Sequence, residues 1–216
     1  RALLSEVFDA WFSRALEDPP EGVRPVLARR SVAPSAPPPQ AALSSAARQL
    51  IQTRDFDAPF RLPDFDREAA IDALYSELTA LASLHARGRS GDPLQRALAD
   101  LDRVLALAQT DDIDQREAWL RKLARDRDLW PSARGRGDMY APGLPRADVT
   151  ARREAHRQRL DACVRDCDAQ IAALLSRELR AVVSAYEDAK REAGVLDFFD
   201  LLLGTRRDRK STRLNS

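Results

Sequence analysis

The sequence predicts a mainly α-helical fold, and three observations support that prediction. Apolar residues recur at spacings of three and four along much of the chain, which is the period of a helix with one buried face. Ala and Leu dominate the apolar set, whereas aromatic residues make up only 6% of positions, and this balance suits packed helices better than strands. No Pro or Gly interrupts residues 148–193, so one very long helix is expected there.

A first amphipathic helix is predicted over residues 1–17, because its apolar residues share one helical face and Pro19-Pro20 stop it. A further helix is expected over residues 41–53. The apolar face of the first helix contains Leu3, Leu4, Val7, Phe8, Trp11, Phe12 and Ala15.

Three segments between the predicted helices have other patterns. Residues 31–40 are rich in Pro and Ser and predict an extended, mobile loop. Residues 23–27 are compatible with a short strand. Residues 54–67 alternate acids, Pro and Phe, which indicates an ordered loop pinned by its aromatic side chains, Phe56, Phe60 and Phe65.

Aspartates mark where the middle helices begin. Asp66 is expected to cap one helix, Asp92 precedes Pro93 at the first position of the next, and Asp112 or Asp114 opens a third. A carboxylate at the N-cap accepts hydrogen bonds from backbone N–H groups that the first turn leaves without partners. The apolar faces behind these caps contain Ile71, Leu74, Leu78, Leu81, Leu84, then Leu94, Leu98, Leu101, Leu105, Ala108, and finally Leu120 and Leu123.

Residues 131–147 hold three of the eight glycines and predict a flexible, exposed loop. The long helix that follows carries an apolar stripe resembling a coiled-coil seam, which needs a partner stripe. The helices at 66–86 and 92–109 can supply it. The stripe contains Leu160, Val164, Cys167, Ile171, Leu174, Leu179, Val182 and Tyr186.

Composition excludes some classes of function. Lys and Arg total 35 against 34 Asp and Glu, so the net charge is only +1 and no global field would attract a polyanion. Any nucleic-acid contact must therefore come from a local patch. No apolar run approaches the roughly 20 residues of a membrane span, so we expect no membrane partner and a cytoplasmic location. Because the chain begins with Arg1 rather than Met, we also expect it to be a piece of a longer protein.

Most of the usual chemical motifs are absent from the sequence or have a structural explanation. His156, Cys163 and Cys167 lie near one helix face, but the paired spacing of a metal site is absent, so the thiols are interpreted as buried seam residues and no metal is expected. Asp111-Asp112 suits a helix N-cap better than an acid–base pair. The sequence contains no G-x-x-x-x-G-K-[ST] phosphate loop, so this segment alone is not expected to hydrolyse ATP.

The stretch YEDAKREAGVLDFFDLLL at residues 186–203 carries the strongest functional signal. A charged helix there reaches a Gly, which suits a helix end because that position commonly needs positive φ. The stretch resembles the Tyr-x-x-x-Lys…Gly-x-Leu-Asp-Phe-x-Asp-Leu-Leu signature of UvrD/RecB/AddA-like superfamily 1 DNA helicases. The matching residues are Tyr186, Lys190, Gly194, Leu196, Asp197, Phe198, Asp200, Leu201 and Leu202.

Two further segments bear on this resemblance. Residues 54–67 are similar to an RDF-x-x-PW-type stretch of RecB/AddA-like exonuclease subunits, although Phe60 stands in place of Trp. Phe199 likewise fills a signature position that is often acidic. The final KSTRLNS resembles a translated sequencing adapter, so residues 206–216 are expected to be a disordered or artefactual tail.

The resemblance implies that residues 1–205 are a helical accessory subdomain, excised from a larger α/β motor that acts in DNA repair or recombination. ATP and Mg²⁺ would be cofactors of the parent protein and not of this segment. The implied partners are DNA, the remaining motor domains and a second nuclease or helicase subunit. Asp197 and Asp200 would dock the insertion onto the motor. The candidates for sequence-independent phosphate contact are Arg134, Arg136, Arg152, Arg153 and Lys190.

A non-enzymatic helical scaffold or coiled-coil interaction module is the alternative. It explains the long helix and the near-neutral charge equally well. It leaves the LDFFDLLL segment as a coincidence, so the helicase interpretation accounts for more of the sequence.

Overall fold

The computed structural model describes residues 2–35, 37–53, 61–130, 135 and 137–196. Helices dominate this part of the chain, which confirms the predicted mainly α class. The helices are α1 Ala2–Glu17, α2 Val23–Val32, α3 Pro39–Gln52, α4 Arg67–Ala82, α5 Pro93–Leu107, α6 Ile113–Arg125, α7 Arg146–Glu178 and α8 Arg180–Ala193. A 3₁₀ helix covers Ser83–Arg87, and a small hairpin pairs β1 Met139–Ala141 with β2 Leu144–Pro145.

The predicted N-caps are confirmed. Asp66 Oδ1 accepts a hydrogen bond from the Ala69 N–H at 3.0 Å, and Asp92 Oδ1 accepts one from the Leu94 N–H at 2.8 Å. Asp112 rather than Asp114 caps α6, since its Oδ1 accepts from the Asp114 N–H at 2.9 Å. Each such cap stabilises its helix by about 1 kcal/mol.

The described residues form two compact units. One contains residues 2–20, 38–53 and 175–196, so it holds α1, α3 and α8. Within it α1 and α3 each pack against α8. Phe8 and Trp11 lie on the buried face of α1, with ring centroids 5.8 Å apart. The other buried apolar side chains of this unit include Ala15, Leu43, Ala47, Ile51, Leu179 and Val182.

The second unit contains residues 21–35, 37, 61–130, 135 and 137–174. Its apolar core combines side chains of α4, α5, α6, the hairpin and α7. Leu160 and Cys167 of α7 belong to this core together with Ile71 of α4 and Leu98 of α5, so the predicted partner stripes are confirmed for this part of the seam. Leu179 and Val182, at its far end, are buried in the first unit instead. Burying a Leu or Ile side chain fully stabilises a fold by about 1.5–3 kcal/mol, and this core therefore holds the unit together.

Two predictions near the N-terminus are wrong. Residues 23–27 form the first turn and a half of α2 rather than a strand. Pro25 is tolerated there because the first N–H groups of a helix have no intrahelical acceptor to lose. The predicted loop at 31–40 is also shorter, because α2 continues to Val32 and Pro39 begins α3 at a position that favours Pro.

The prediction of a flexible, exposed loop over 131–147 is wrong for residues 139–145, which form the hairpin. Tyr140 is buried and its hydroxyl donates to the Leu84 carbonyl at 3.0 Å. Burial raises the pKa of Tyr140 above its ordinary value. Gly143 provides the positive φ, 69°, that the turn after Pro142 requires. Tyr140 and Leu144 anchor this segment to the core. The sequence prediction gave more weight to the glycines around them.

The first half of the predicted loop at 54–67, with Phe56 and Phe60, lies outside the described residues. Phe65 is half-buried against the core, and its carbonyl accepts a hydrogen bond from Gln170 Nε2 at 3.2 Å. The tail at 206–216 is also outside the described residues. Among the described helices, none is long and apolar enough to cross a lipid bilayer.

Candidate functional site

The helicase-like stretch begins at a well-defined helix end. Gly194 ends α8 with a φ of 62°, the left-handed conformation predicted for it. Its N–H donates to the Arg191 carbonyl at 3.3 Å, and the Val195 N–H donates to the Lys190 carbonyl at 3.0 Å. These two bonds form a Schellman motif. Leu196 is exposed, and the remaining signature residues, Asp197, Phe198, Asp200, Leu201 and Leu202, lie outside the described residues.

Lys190 is not an exposed phosphate ligand, so its assignment as a DNA contact is corrected. Its side chain is 4% exposed and its Nζ lies 3.1 Å from Glu187 Oε1. The same Nζ lies 5.2 Å from the centroid of the Tyr186 ring. Residues four apart share a helix face, which brings the Tyr and Lys of the signature together. Lys190 therefore stabilises the end of α8 rather than reaching solvent.

Arg153 is also buried, which contradicts its prediction as a residue that contacts phosphate. The residue is 8% exposed. Its Nη2 donates to the Leu129 carbonyl at 3.2 Å, and its guanidinium lies 5.6 Å from the centroid of the Trp130 ring. Burial lowers the pKa of Arg153. This side chain fastens α7 to the segment that follows α6.

The predicted DNA-binding set is therefore not brought together on one exposed surface. Arg152 is exposed on α7 as expected. Arg134 and Arg136 lie outside the described residues. With Arg153 and Lys190 buried, Arg152 is the one member of the set that is both described and exposed.

The thiols and the histidine of α7 occupy different surroundings. Cys167 is buried in the core and Cys163 is half-buried beside it. A hydrogen bond from Cys167 lowers the pKa of Cys163, whereas the same bond and burial raise the pKa of Cys167. His156 Nδ1 lies 3.6 Å from Glu77 Oε2, and burial lowers its pKa. No group of three potential metal ligands occurs among the described residues.

A groove between α2 and α6 was missed by the sequence reasoning. It has a volume of about 610 Å³ and lies within the second unit. Its lining combines four basic side chains, one carboxylate and an apolar wall. The lining residues are Arg29, Val32, Ala33, Pro34, Ser35, Pro37, Ala118, Arg121, Lys122, Arg125 and Asp126.

A buried ion-pair network forms one wall of this groove. Arg121 is 6% exposed and Glu117 is 1% exposed. Arg121 donates two hydrogen bonds to Glu117 Oε1, from Nε at 3.1 Å and from Nη2 at 2.8 Å. It also holds Asp168 of α7 in a bidentate pair, with Nη1 at 2.9 Å and Nη2 at 2.7 Å from the two carboxylate oxygens. Burial alone lowers the pKa of Arg121, but the two carboxylates outweigh it and the pKa is raised. All three side-chain nitrogens of Arg121 therefore donate to Glu117 or Asp168, and the role of Arg121 is structural.

Arg29 joins the same network from α2 through its Nη2. Its Nη2 lies 3.3 Å from Glu117 Oε1 and 3.4 Å from Asp168 Oδ1. Its Nε is buried without a hydrogen-bond partner in the described part of the chain. Because Arg29 and Glu117 are 88 residues apart, no local sequence pattern could have paired them. On α6 the three-and-four spacing of Arg121, Lys122 and Arg125 was the available signal.

The described residues thus define a helical protein with a basic groove in one unit and a signature-like helix end in the other. No family model matches the chain, and no significant match to it occurs among curated proteins or solved structures. The helix end and the groove are the two features from which a function can be inferred.

Proposed function

We propose that this chain is the helical accessory subdomain of a UvrD/RecB-like ATP-dependent DNA helicase or exonuclease subunit. In this proposal it acts in DNA repair or recombination in the cytoplasm and contacts duplex DNA without reading its sequence. The observation that supports the proposal is the end of α8. Tyr186, Lys190 and Gly194 have the spacing of the helicase signature and together build one helix terminus: an aromatic ring, a buried ammonium group and a left-handed Gly.

The sequence indicates which part of the parent protein would bind ATP and which would contact DNA. The chain contains no G-x-x-x-x-G-K-[ST] phosphate loop, whereas P-loop NTPases, the class that the helicase resemblance implies, bind their nucleotide with such a loop and a metal-binding carboxylate. ATP and Mg²⁺ would therefore be bound by the remaining motor domains of the parent protein. The segment itself would position duplex DNA and would have no ATPase activity.

The buried Lys190 changes the role proposed for the signature. The Lys190 side chain is 4% exposed, so it can make little contact with a DNA phosphate in solvent. It instead fixes the direction in which the chain leaves α8. We propose that this helix end directs the following acidic-apolar segment onto the motor core. Contact with DNA would then be made by Arg152, which is exposed, together with Arg134 and Arg136.

The coding sequence on either side of this segment tests the helicase assignment directly. We expect a G-x-x-x-x-G-K-[ST] motif upstream and an acidic Asp-Glu motif downstream in the same reading frame. Flanks that lack both motifs would refute the assignment. A purified chain that turns over ATP, with the activity abolished by a single substitution within residues 1–205, would also contradict it.

A further inference from the structure

We propose that the groove between α2 and α6 binds a phosphate group carried on a partly apolar body, such as a nucleotide. This inference is independent of the proposed function, because the groove lies in the second unit and contains none of the signature residues. The groove has three relevant features: the charge of its lining, one pre-positioned guanidinium and the apolar surface of its wall.

The groove carries positive charge that the protein does not neutralise. Lys122 and Arg125 are exposed on α6 and form no ion pair with any described residue. Lys122 Nζ lies 4.5 Å from the centroid of the Trp119 ring, a contact that orients the ammonium group but does not cancel its charge. The one carboxylate of the lining, Asp126, accepts a hydrogen bond from the Asp128 N–H at 3.0 Å and keeps its negative charge. Because Glu117 and Asp168 balance Arg29 and Arg121, the two cations Lys122 and Arg125 against Asp126 leave one net positive charge in the groove.

Arg29 supplies a guanidinium whose position is fixed before a ligand arrives. Glu117 and Asp168 hold its Nη2, and its side chain is only 24% exposed. Neither of these contacts involves Nη1. A guanidinium held in place by the protein loses less conformational entropy when it binds an anion. Arg29 is therefore suited to be the central anion-binding donor, with Lys122 and Arg125 at the rim.

The number of donors favours phosphate over carboxylate. A phosphate monoester has a charge of about −1.5 to −2 at pH 7 and three acceptor oxygens, so it can engage three cations at once. A carboxylate has two oxygens and one charge. Charge-assisted bonds of this kind are among the strongest that proteins form.

The rest of the lining indicates what the phosphate is attached to. Val32, Ala33, Pro34, Pro37 and Ala118 form an apolar surface beside the cations. Small-molecule sites typically have volumes of about 300–1,000 Å³ with mostly apolar walls, and the groove volume of about 610 Å³ falls within that range. A planar or apolar moiety can lie on this wall while its phosphate faces the basic side. A mononucleotide and one nucleotide of a nucleic-acid backbone share this chemistry.

Trp119 provides a direct test, because an anion that engages Lys122 changes the surroundings of its indole. We would titrate the full chain with deoxyadenosine monophosphate, with deoxyadenosine and with a short oligo(dT), following tryptophan fluorescence and isothermal titration calorimetry. The proposal requires saturable binding of the monophosphate or of the oligonucleotide. Deoxyadenosine, which lacks the phosphate, should not bind. Binding of the monophosphate identifies a free phosphate ester as the ligand, whereas binding of oligo(dT) alone identifies a backbone phosphate.

The double variant Lys122→Gln, Arg125→Gln should weaken that binding by at least about tenfold, since it removes two charge-assisted contacts whose sum need only reach about 1.4 kcal/mol. Both side chains are exposed, so the variant should fold normally by circular dichroism. Arg103→Gln, at an exposed position of α5 away from the groove, is the matched control and should bind as the parent does. The proposal is overturned if neither phosphate ligand binds, if deoxyadenosine binds equally well, or if the double variant binds like the control. None of these results depends on the flanking helicase motifs, so the two proposals fail separately.

Discussion

Arg146 and Asp92 form a bidentate ion pair between the first residue of α7 and the N-cap of α5. Arg146 Nη1 lies 3.1 Å from Asp92 Oδ1 and Nη2 lies 2.6 Å from Oδ2. The two side chains are 12% and 11% exposed. Asp92 therefore has two roles at once, because its Oδ1 also accepts the hydrogen bond from the Leu94 N–H. The pair fastens the start of the long helix to a helix that is distant in the sequence.

This relationship predicts a specific contribution of Asp92 to acid stability. The hydrogen bond from Arg146 holds the pKa of Asp92 below its ordinary value. A carboxyl group with a lowered folded-state pKa stabilises the protein fully above its unfolded pKa of about 3.9, and this contribution is lost as the pH falls through the folded-state pKa. Asp92→Asn retains an N-cap but removes the charge. We expect it to cost about 1–3 kcal/mol at pH 7 and to reduce the loss of stability in the acid range.

Urea unfolding at neutral and acid pH measures this effect. Asp66→Asn is the matched control, because Asp66 caps α4 through the Ala69 N–H and is exposed. The control should lose little at pH 7 and should keep the acid dependence of the parent. If Asp92→Asn keeps the full acid dependence as well, the ion pair does not act as described.

Gly135 approaches the same ion pair so closely that a side chain cannot be added. A Cβ at this position would lie 2.1 Å from Arg146 Nη1 and 2.8 Å from Asp92 Oδ2. Gly135→Ala should therefore displace the pair and destabilise the protein by about 1–3 kcal/mol. The measurement is the free energy of unfolding, made in the parent and in an Arg146→Ala background. The penalty should shrink in that background, because the Arg146 guanidinium, the closer of the two clashing groups, is gone, and an equal penalty in both would exclude this explanation.

Arg152 and Arg153 are adjacent on α7 but should respond differently to truncation. Arg153 is 8% exposed and donates to the Leu129 carbonyl, so Arg153→Ala removes both packing and a buried hydrogen bond. We expect a loss of about 1–3 kcal/mol in the free energy of unfolding. Arg152→Ala, at an exposed position, should change it by less than about 0.5 kcal/mol. Equal effects in a urea titration would mean that Arg153 is not a structural residue.

The helix caps and apolar faces could be predicted because their signals are local. Asp66, Asp92 and Asp112 cap helices, and Gly194 ends one, in the way that their neighbours in the sequence indicate. A cap depends only on backbone groups within one turn. The buried faces of α4 and α5 follow from spacing alone for the same reason.

The burial of Arg153 and Lys190 was not predicted, although both residues have the helical spacing of the buried apolar stripe. Arg153 follows Val149 by four residues and precedes Leu160 by seven, and both neighbours are fully buried. Lys190 likewise follows Tyr186 by four residues and Val182 by eight. A long basic side chain can extend its apolar stem along such a stripe, so charge alone does not place a residue at the surface. The groove could not be predicted, because Arg29 meets Glu117 across 88 residues of sequence.

DNA binding by this chain should be weak, because a net charge of +1 is combined with only three arginines that remain proposed to contact phosphate. The chain should bind duplexes of unrelated sequence weakly and equally, with an affinity that falls as salt rises because counterions are released. Arg134→Ala, Arg136→Ala and Arg152→Ala together should flatten that dependence, since each lost phosphate contact removes roughly 0.9 from the log–log slope. Fluorescence anisotropy of a labelled duplex across a salt series measures this slope.

Two variants serve as controls for the location of the DNA contact. Arg103→Ala removes an exposed arginine of α5 that pairs with Asp100 and should leave the slope unchanged. Lys122→Gln with Arg125→Gln reports whether the groove contributes, because a flattened slope there would place a backbone phosphate between α2 and α6. Unchanged binding in the triple variant would move the contact surface away from these arginines. An absence of binding by the parent chain at low salt would instead favour the helical scaffold, since a protein that tracks a duplex must contact its phosphates.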